Sequence, residues 1–155
     1  MILLPATEEN TPLHLAGSGG RAVLLFVLGI DCGSCKQLAR SLSELRYEYS
    51  PEIEFVGICI QNACEEGLAE FADETHTSFP LRHCTNRDLC NALSIPRSTW
   101  LYFPTLIAID SQQQLRGVFT GQHQLFNDTA INLRMLLDEL SPVVRSVSER
   151  VEATL

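Results

Sequence analysis

The chain has almost no lysine and no long apolar run, and both absences exclude classes of function. Its only lysine is Lys36, its basic residues form no cluster, and its formal net charge is −8. Nucleic acids and anionic membranes attract basic surfaces, so neither is expected as a partner. No apolar stretch approaches the roughly 20 residues of a membrane-spanning helix, so we expect no membrane-embedded segment.

The N-terminus also lacks the features of a secretory signal. Residues 1–4 are apolar, but no basic residue precedes them and Pro5 follows directly. A signal peptide needs a basic start and an apolar stretch of about 7–15 residues. The expected location is therefore the cytoplasm, where cysteine thiols are mostly reduced. The alternative is an exported or membrane-tethered protein from which a leader has been removed.

The length fits a single domain, because 155 residues contain no internal repeat and no low-complexity segment. A domain of this size buries enough surface to fold without disulfide bonds. The six cysteines are therefore not needed to hold the fold together.

The most informative stretch runs from Ala22 to Tyr49 and predicts a strand, a loop and a helix. Residues 22–28 form a short apolar run bounded by glycines, which is typical of a strand buried on both faces. From Cys35 onward the apolar residues recur at helical spacing. Cys32 and Cys35 therefore lie at the junction, with Cys32 at or just before the helix N-terminus.

This position predicts different roles for the two thiols. Free N–H groups and the macrodipole at a helix start stabilise an anion, and the thiolate is the nucleophile in disulfide exchange. Cys32 is therefore the candidate nucleophile. Cys35 lies one turn into the helix, close enough to attack a mixed disulfide at Cys32, so it is the candidate resolving thiol.

A Cys-x-x-Cys at such a junction, followed downstream by Phe103-Pro104-Thr105, resembles the thioredoxin-like superfamily and is most similar to its TlpA-like and AhpC/TSA (redoxin) branch. The resemblance implies a three-layer α/β fold with a central mixed β-sheet flanked by helices. It also implies that Pro104 is cis and packs against the dithiol. The substrate groove is then expected to involve Asp31, Gly33, Ser34, Phe103, Pro104 and Thr105.

The pattern and the resemblance together divide the single domain, residues 1–155, into a core and three additions. Residues 1–20 are expected to form an N-terminal hairpin, residues 76–98 an insert before the cis-proline strand, and residues 141–155 a C-terminal tail. In the core, a second strand parallel to the first is predicted at residues 53–60. Further strands are predicted at 101–110 and 115–120, and helices at about 64–75, at 86–93 and after a cap at Asn127-Asp128.

The motif departs from ordinary thioredoxins around the cysteines. Asp31 replaces their tryptophan and Gly33-Ser34 replaces Gly-Pro, so a more polar and less rigid groove is expected. Phe26 stands where many thioredoxins have a buried aspartate that accepts the resolving thiol's proton. The base for Cys35 is therefore water or another carboxylate. The candidate carboxylates, each of which is also readily explained as a solvated charge, are Glu54, Asp73 and Asp110.

The other four cysteines are interpreted mainly as structural. Cys59 and Cys64 bracket the end of the second strand, where functional sites of α/β sheets collect, so we hypothesise a secondary dithiol there. The favoured alternative is a buried core thiol and a small residue near a helix start. Cys84 and Cys90 flank the start of the predicted short helix, with His76 and His83 nearby. A metal site of the two cysteines and a histidine is an alternative to structural thiols, but the spacing matches no common zinc pattern, so no metal is expected.

The predicted function is that of a thiol-disulfide oxidoreductase. The Cys32–Cys35 dithiol would reduce a disulfide-containing protein substrate and be recycled by an external reductant, with no bound cofactor. A peroxiredoxin-like peroxidase is the main competing enzyme, but Leu25 and Gly29 stand where its signature has proline and threonine. Two non-enzymatic interpretations also remain, a thioredoxin-fold binding module without turnover and a purely structural Cys32–Cys35 bridge.

Overall fold

The computed structural model describes residues 20–61, 65–96, 101 and 103–141. A five-stranded sheet lies at its centre. Its strands are β1 (Ala22–Leu28), β2 (Ile53–Cys59), β3 (Leu81–His83), β4 (Thr105–Ile109) and β5 (Leu115–Phe119), in the order β3-β2-β1-β4-β5. Strand β1 pairs in parallel with β2 and antiparallel with β4, while β3 is parallel to β2 and β5 is antiparallel to β4. The sheet is therefore mixed, as predicted.

Helices cover both faces of this sheet and make three layers. The α-helices of the described residues are α1 (Gly33–Tyr49), α2 (Glu65–Thr75), α3 (Asn86–Leu93) and α4 (Thr129–Leu140). Residues of α1, α2 and α4 pack on one face, and residues of α3 pack on the other. A 3-10 helix, Gln124–Asp128, leads directly into α4.

Strand β1 occupies the centre because its side chains are apolar on both faces. All seven residues are buried. Leu24, Phe26 and Leu28 pack in the layer of α1 and α4, whereas Leu25 and its alternate neighbours pack against α3. The uninterrupted apolar run predicted this burial on both faces. The end of β1 leads directly into the loop that carries Cys32.

Helix α1 lies against β1 through one apolar face, which contains Leu38, Ala39 and Leu42. At its C-terminal end the hydroxyl of Tyr49 donates a hydrogen bond of 2.6 Å to Asp138 Oδ1 of α4. The helix is thus held along its length, and its N-terminus has a defined position relative to the sheet.

The start of β4 and the capping of α4 differ from the sequence predictions. Strand β4 begins at Thr105 and not at residue 101, because Pro104 has no N–H to donate to a strand ladder. Asp128 is the N-cap residue of α4, as expected, but its side chain makes no capping hydrogen bond. The preceding 3-10 helix is capped instead by His123, whose Nδ1 accepts a hydrogen bond from the Leu125 N–H at 3.0 Å.

Residues 76–98 were expected to be an insert before the cis-proline strand. Part of this segment forms a strand of the sheet, and part forms a helix that packs on the sheet. Residues 81–83 form β3 beside β2, and the helix α3 covers one face. Residues 1–19 of the expected hairpin and residues 142–155 of the expected tail lie outside the described residues. Among the helices that are described, none is long and apolar enough to cross a membrane.

Candidate active site

The candidate active site lies where β1 ends and α1 begins. The Cys32 N–H donates a hydrogen bond of 3.3 Å to the Gly29 carbonyl, and the Cys32 carbonyl accepts from the Lys36 N–H at 3.1 Å. Cys32 is therefore the N-cap residue of α1. Its sulfur accepts a hydrogen bond of 3.2 Å from the Cys35 N–H. This donor and the positive end of the helix dipole both stabilise negative charge on the Cys32 sulfur.

The two cysteines have different environments. Cys32 is half-buried, whereas Cys35 is fully buried. Burial raises the pKa of the Cys35 thiol well above its ordinary value of 9.0, and the hydrogen bond and charge of Cys32 raise it further. A hydrogen bond with the Gly29 backbone acts in the opposite direction. Cys32 is therefore the sulfur that a substrate can reach, and Cys35 is held as a neutral thiol.

The Phe103–Pro104 segment lies beside the dithiol, and its peptide bond is cis. A Cβ atom placed on Gly29 would come within 2.9 Å of the Phe103 ring. A Cβ placed on Gly121 would lie 3.1 Å from the Phe103 carbonyl oxygen and 3.2 Å from that of Pro104. The segment is thus enclosed between the loop after β1 and the turn after β5, and both approaches depend on glycine.

A groove of about 420 Å³ opens between α1, the cis-proline segment and the start of α4. Three residues predicted for the substrate groove, Ser34, Phe103 and Pro104, line it. Asp31 and Gly33 are exposed next to Cys32. Thr105, which was also predicted, is fully buried in β4 and does not line the groove.

Other lining residues were missed in the sequence. Gln37 and Ser41 follow Ser34 at helical spacing, so the periodicity of α1 alone places all three on one face. Gly121 and Thr129 are brought to the groove by the sheet and by α4, and no local signal indicates them. Among the described residues, the lining is Ser34, Gln37, Leu38, Ser41, Phe103, Pro104, Gly121, Phe126 and Thr129.

Two of the candidate bases for Cys35 lie at the wrong end of the sheet. Glu54 pairs with Val23 in the register of β1 and β2 and is 3.5 Å from Arg21. Asp110 follows β4 at the same end of the sheet, away from Cys32, where it accepts a hydrogen bond of 3.2 Å from Arg116. Asp73 is exposed on α2. The position of Glu54 and of Asp110 therefore excludes them as the proton acceptor.

The remaining cysteines are of two kinds. Cys59 is disulfide-bonded and fully buried, so the favoured interpretation of an unpaired core thiol is wrong. Cys64 lies outside the described residues. Cys84 and Cys90 are not disulfide-bonded, and burial raises the pKa of Cys84, with Asp88 and Cys90 adding to the shift. In the part of the chain that is described, no three His, Cys, Asp or Glu residues group as metal ligands would.

The sequence of residues 3–131 matches the profile of the Redoxin family. The chain belongs to the Redoxin family. A search of curated proteins found no match to this Redoxin protein.

Several solved structures share the fold of this Redoxin chain at low sequence identity. A thiol:disulfide interchange protein of the thioredoxin family from Chlorobium tepidum TLS is 20% identical, with a TM-score of 0.63, over 88% of this chain and 96% of its own. A DsbF homologue from Corynebacterium diphtheriae is 22% identical, with a TM-score of 0.64, over 81% and 76%. A secreted Mycobacterium tuberculosis disulfide oxidoreductase homologous to E. coli DsbE is 15% identical, with a TM-score of 0.59, over 84% and 100%.

These likenesses confirm the predicted thioredoxin-like α/β fold. Membership of the Redoxin family, together with this fold and a dithiol at the start of α1, also confirms the predicted enzyme class. The protein is a thioredoxin-like thiol-disulfide oxidoreductase.

Proposed function

We propose that this Redoxin protein reduces disulfide bonds in protein substrates, with Cys32 as the attacking thiolate and Cys35 as the resolving thiol. The difference between the two sulfurs is the observation that carries the proposal. Cys32 is accessible and accepts a hydrogen bond of 3.2 Å from the Cys35 N–H, while Cys35 is fully buried. A pair of this kind has one thiol for the substrate and one that acts only after the substrate is bound.

The reaction proceeds in two exchanges. The Cys32 thiolate attacks one sulfur of the substrate disulfide, the substrate S–S bond breaks, and the departing substrate thiolate takes up a proton. Cys35 then loses its proton and attacks the Cys32 sulfur, which breaks the mixed disulfide and releases the second substrate thiol. The substrate gains two electrons, and Cys32 and Cys35 are left as a disulfide that an external dithiol reductant returns to the thiols.

The timing of Cys35 deprotonation follows from its surroundings. The hydrogen bond and the negative charge of Cys32 both raise the pKa of Cys35 while Cys32 is a thiolate. Once Cys32 is bonded to the substrate its charge is gone, so the pKa of Cys35 falls at the step in which Cys35 has to react. The proton acceptor is then the departing substrate thiolate, water or Asp73, because Glu54 and Asp110 are too far along the sheet.

The groove beside the dithiol supports a polypeptide as substrate. Ser34 and Pro104 place it next to Cys32, and its volume is about 420 Å³. A substrate bonded to Cys32 holds its neighbouring residues at this groove at a high effective concentration. The similar structures from Chlorobium tepidum and Mycobacterium tuberculosis, named as a thiol:disulfide interchange protein and a disulfide oxidoreductase, are consistent with this class of substrate.

A trapping experiment tests the mechanism. Insulin serves as the disulfide substrate and dithiothreitol as the reductant. With dithiothreitol present, the wild type is expected to reduce insulin catalytically. When each variant is reduced first and dithiothreitol is removed before insulin is added, Cys35→Ser is expected to accumulate a mixed disulfide on Cys32 and Cys32→Ser to form none. Cys84→Ser, which removes a thiol on the α3 side of the sheet, is the matched control and is expected to retain turnover.

The same measurements distinguish this function from a binding module and from a peroxidase. Absence of turnover by the wild type, with no adduct on Cys32 in the trapping variant, would contradict the proposed function and favour a binding module. Consumption of hydrogen peroxide in place of insulin reduction would favour a peroxidase. The structure offers that chemistry little support, because Leu25 packs in the α3 layer, on the face of the sheet away from Cys35.

A further inference from the structure

The loop that carries Cys32 is contacted from the neighbouring strand by the side chain of Gln61. Cys59, the last residue of β2, pairs with Leu28, the last residue of β1, so the chain beyond β2 runs beside the loop after β1. Gln61 Oε1 accepts a hydrogen bond of 3.2 Å from the Ile30 N–H. The same oxygen lies 3.5 Å from the position of a Cβ on Gly29, so the amide also packs against Gly29.

Gly29 in turn contacts both thiol residues. Its carbonyl accepts the hydrogen bond from the Cys32 N–H at 3.3 Å. Its backbone also makes the hydrogen bond that lowers the pKa of Cys35. Gln61 therefore touches neither sulfur, but it contacts the short piece of backbone that positions both of them.

The segment leading to Gln61 is anchored at Cys59. Cys59 is disulfide-bonded and fully buried, and its carbonyl accepts a hydrogen bond of 3.1 Å from the Cys84 N–H. An exposed glutamine ordinarily loses side-chain entropy when it makes a fixed contact. The backbone of Gln61 lies two residues after the disulfide-bonded Cys59, so its motion is already restricted. Forming the contact to Ile30 therefore costs less conformational entropy at Gln61.

We propose that Gln61 is a positioning residue for the dithiol, holding Gly29 and Ile30 so that the Cys35 N–H reaches the Cys32 sulfur, and that the Cys59 disulfide anchors it for this role. This inference rests on the proposed function, because it concerns the reactivity of the same pair. Loss of the Gln61 contact lets the backbone of Gly29 and Ile30 shift, which weakens the hydrogen bond that stabilises the Cys32 anion without exposing the thiols further. The reduced form then becomes less favourable relative to the Cys32–Cys35 disulfide.

The test compares Gln61→Met, which keeps the length of the side chain and removes the amide oxygen, with Gln112→Met. Gln112 is exposed in the turn between β4 and β5, at the end of the sheet opposite the dithiol. In graded glutathione buffers, Gln61→Met is expected to shift the Cys32–Cys35 equilibrium toward the disulfide by about 2- to 10-fold, the range of one hydrogen bond. Gln112→Met is expected to behave as the wild type.

A pH profile separates positioning from simple loosening. The alkylation rate of Cys32 in Gln61→Met is expected to fall at neutral pH by a similar factor and to reach the wild-type rate at high pH, where the thiolate is fully formed. A merely loosened structure would instead expose the thiols and raise the rate at every pH. Thermal unfolding by circular dichroism checks that both variants are folded.

The anchor is tested with Cys59→Ala combined with Cys64→Ala, since a thiol at residue 64 would react in the same assay. This variant is expected to shift the equilibrium in the same direction as Gln61→Met, and adding Gln61→Met to it should produce little further shift. Fully additive shifts would overturn the role of the disulfide as the anchor.

Two results have different meanings for the two proposals. If Gln61→Met matches Gln112→Met in equilibrium and pH profile while insulin is still reduced, the positioning role of Gln61 is wrong and the proposed function stands. If Cys32 and Cys35 of the wild type never pair in glutathione buffers, the proposed function itself fails.

Discussion

Two glycines let the cis-proline segment lie against its neighbours, and the two contacts differ in how readily they would accommodate an added Cβ. At Gly29 an added Cβ would meet the ring of Phe103, which is a side chain able to shift. At Gly121 it would meet the carbonyl oxygens of Phe103 and Pro104, and backbone atoms in a packed segment cannot turn away. Gly121 is therefore the residue that most strictly sets how closely the turn after β5 approaches Pro104.

We predict that Gly121→Ala destabilises the protein by about 1–3 kcal/mol, as overpacking does, and lowers kcat/KM for insulin reduction by displacing Pro104. Urea unfolding and the insulin assay measure the two effects. Gly33→Ala is the matched control for stability, because no atom lies within 4 Å of the added Cβ. It should change the free energy of unfolding by no more than about 0.5 kcal/mol. Equal stabilities of the two variants would contradict the argument.

Among the elements, α1 combines a structural and a functional face. Leu38 and Leu42 pack in the core, and the N-terminus holds Cys32. Ser34, Gln37 and Ser41 form one wall of the groove, and among the described residues its lining carries no charged side chain. The nearby Lys36 is bound to Glu74 of α2 at 2.9 Å. The described part of the groove is therefore suited to an uncharged stretch of polypeptide, and its lining offers no cation to the carboxylates of glutathione.

A cation introduced into this wall should change the preference among substrates. Gln37→Lys is predicted to raise kcat/KM for glutathione disulfide about fivefold, since unit charges about 4 Å apart in water interact by about 1 kcal/mol. For an uncharged peptide disulfide no comparable increase is expected. Gln112→Lys adds the same charge at the end of the sheet opposite the dithiol and controls for the change in net charge. Identical effects of the two substitutions would show that the substrate does not contact this wall.

For the molecule as a whole, the buried Cys35 links folding to pH. Its pKa in the folded protein is raised above the ordinary value of 9.0, chiefly by burial. At pH values below 9.0 the thiol of residue 35 keeps its proton in both the folded and the unfolded state. Its contribution to the free energy of unfolding is then fully present. As pH rises above 9.0, the unfolded chain releases the proton while the folded protein retains it. The unfolded state is then favoured by up to about 1.4 kcal/mol for each pH unit.

This linkage predicts different pH profiles for the reduced wild type and Cys35→Ala. Between about pH 8 and about pH 10 the free energy of unfolding of the wild type should fall more steeply, because the variant lacks the titrating thiol. Urea unfolding in the same reductant measures both, and Cys84, whose pKa is also raised, contributes equally to the two proteins. Parallel profiles would show that Cys35 does not carry the effect.

Sequence patterns were sufficient to predict the features of the fold that depend on neighbouring residues. The apolar run of residues 22–28 was enough for a strand buried on both faces, and the helical spacing from Cys35 was enough for α1. Together they placed Cys32 at a helix N-terminus. Local propensity and periodicity act within a few residues, so such features can be deduced from the order of the residues alone. The resemblance added the cis bond at Pro104, which the structure confirms.

Which distant residues meet around that dithiol became apparent only in the folded protein. Folding brought Gly121 and Thr129 to the groove, placed Gln61 against Ile30, and buried Thr105 in β4. It also made residues 81–83 an edge strand and put Glu54 at the far end of the sheet. These outcomes follow from strand register and from the packing of helices on the sheet, which join residues tens of positions apart. No local pattern in the sequence records such contacts.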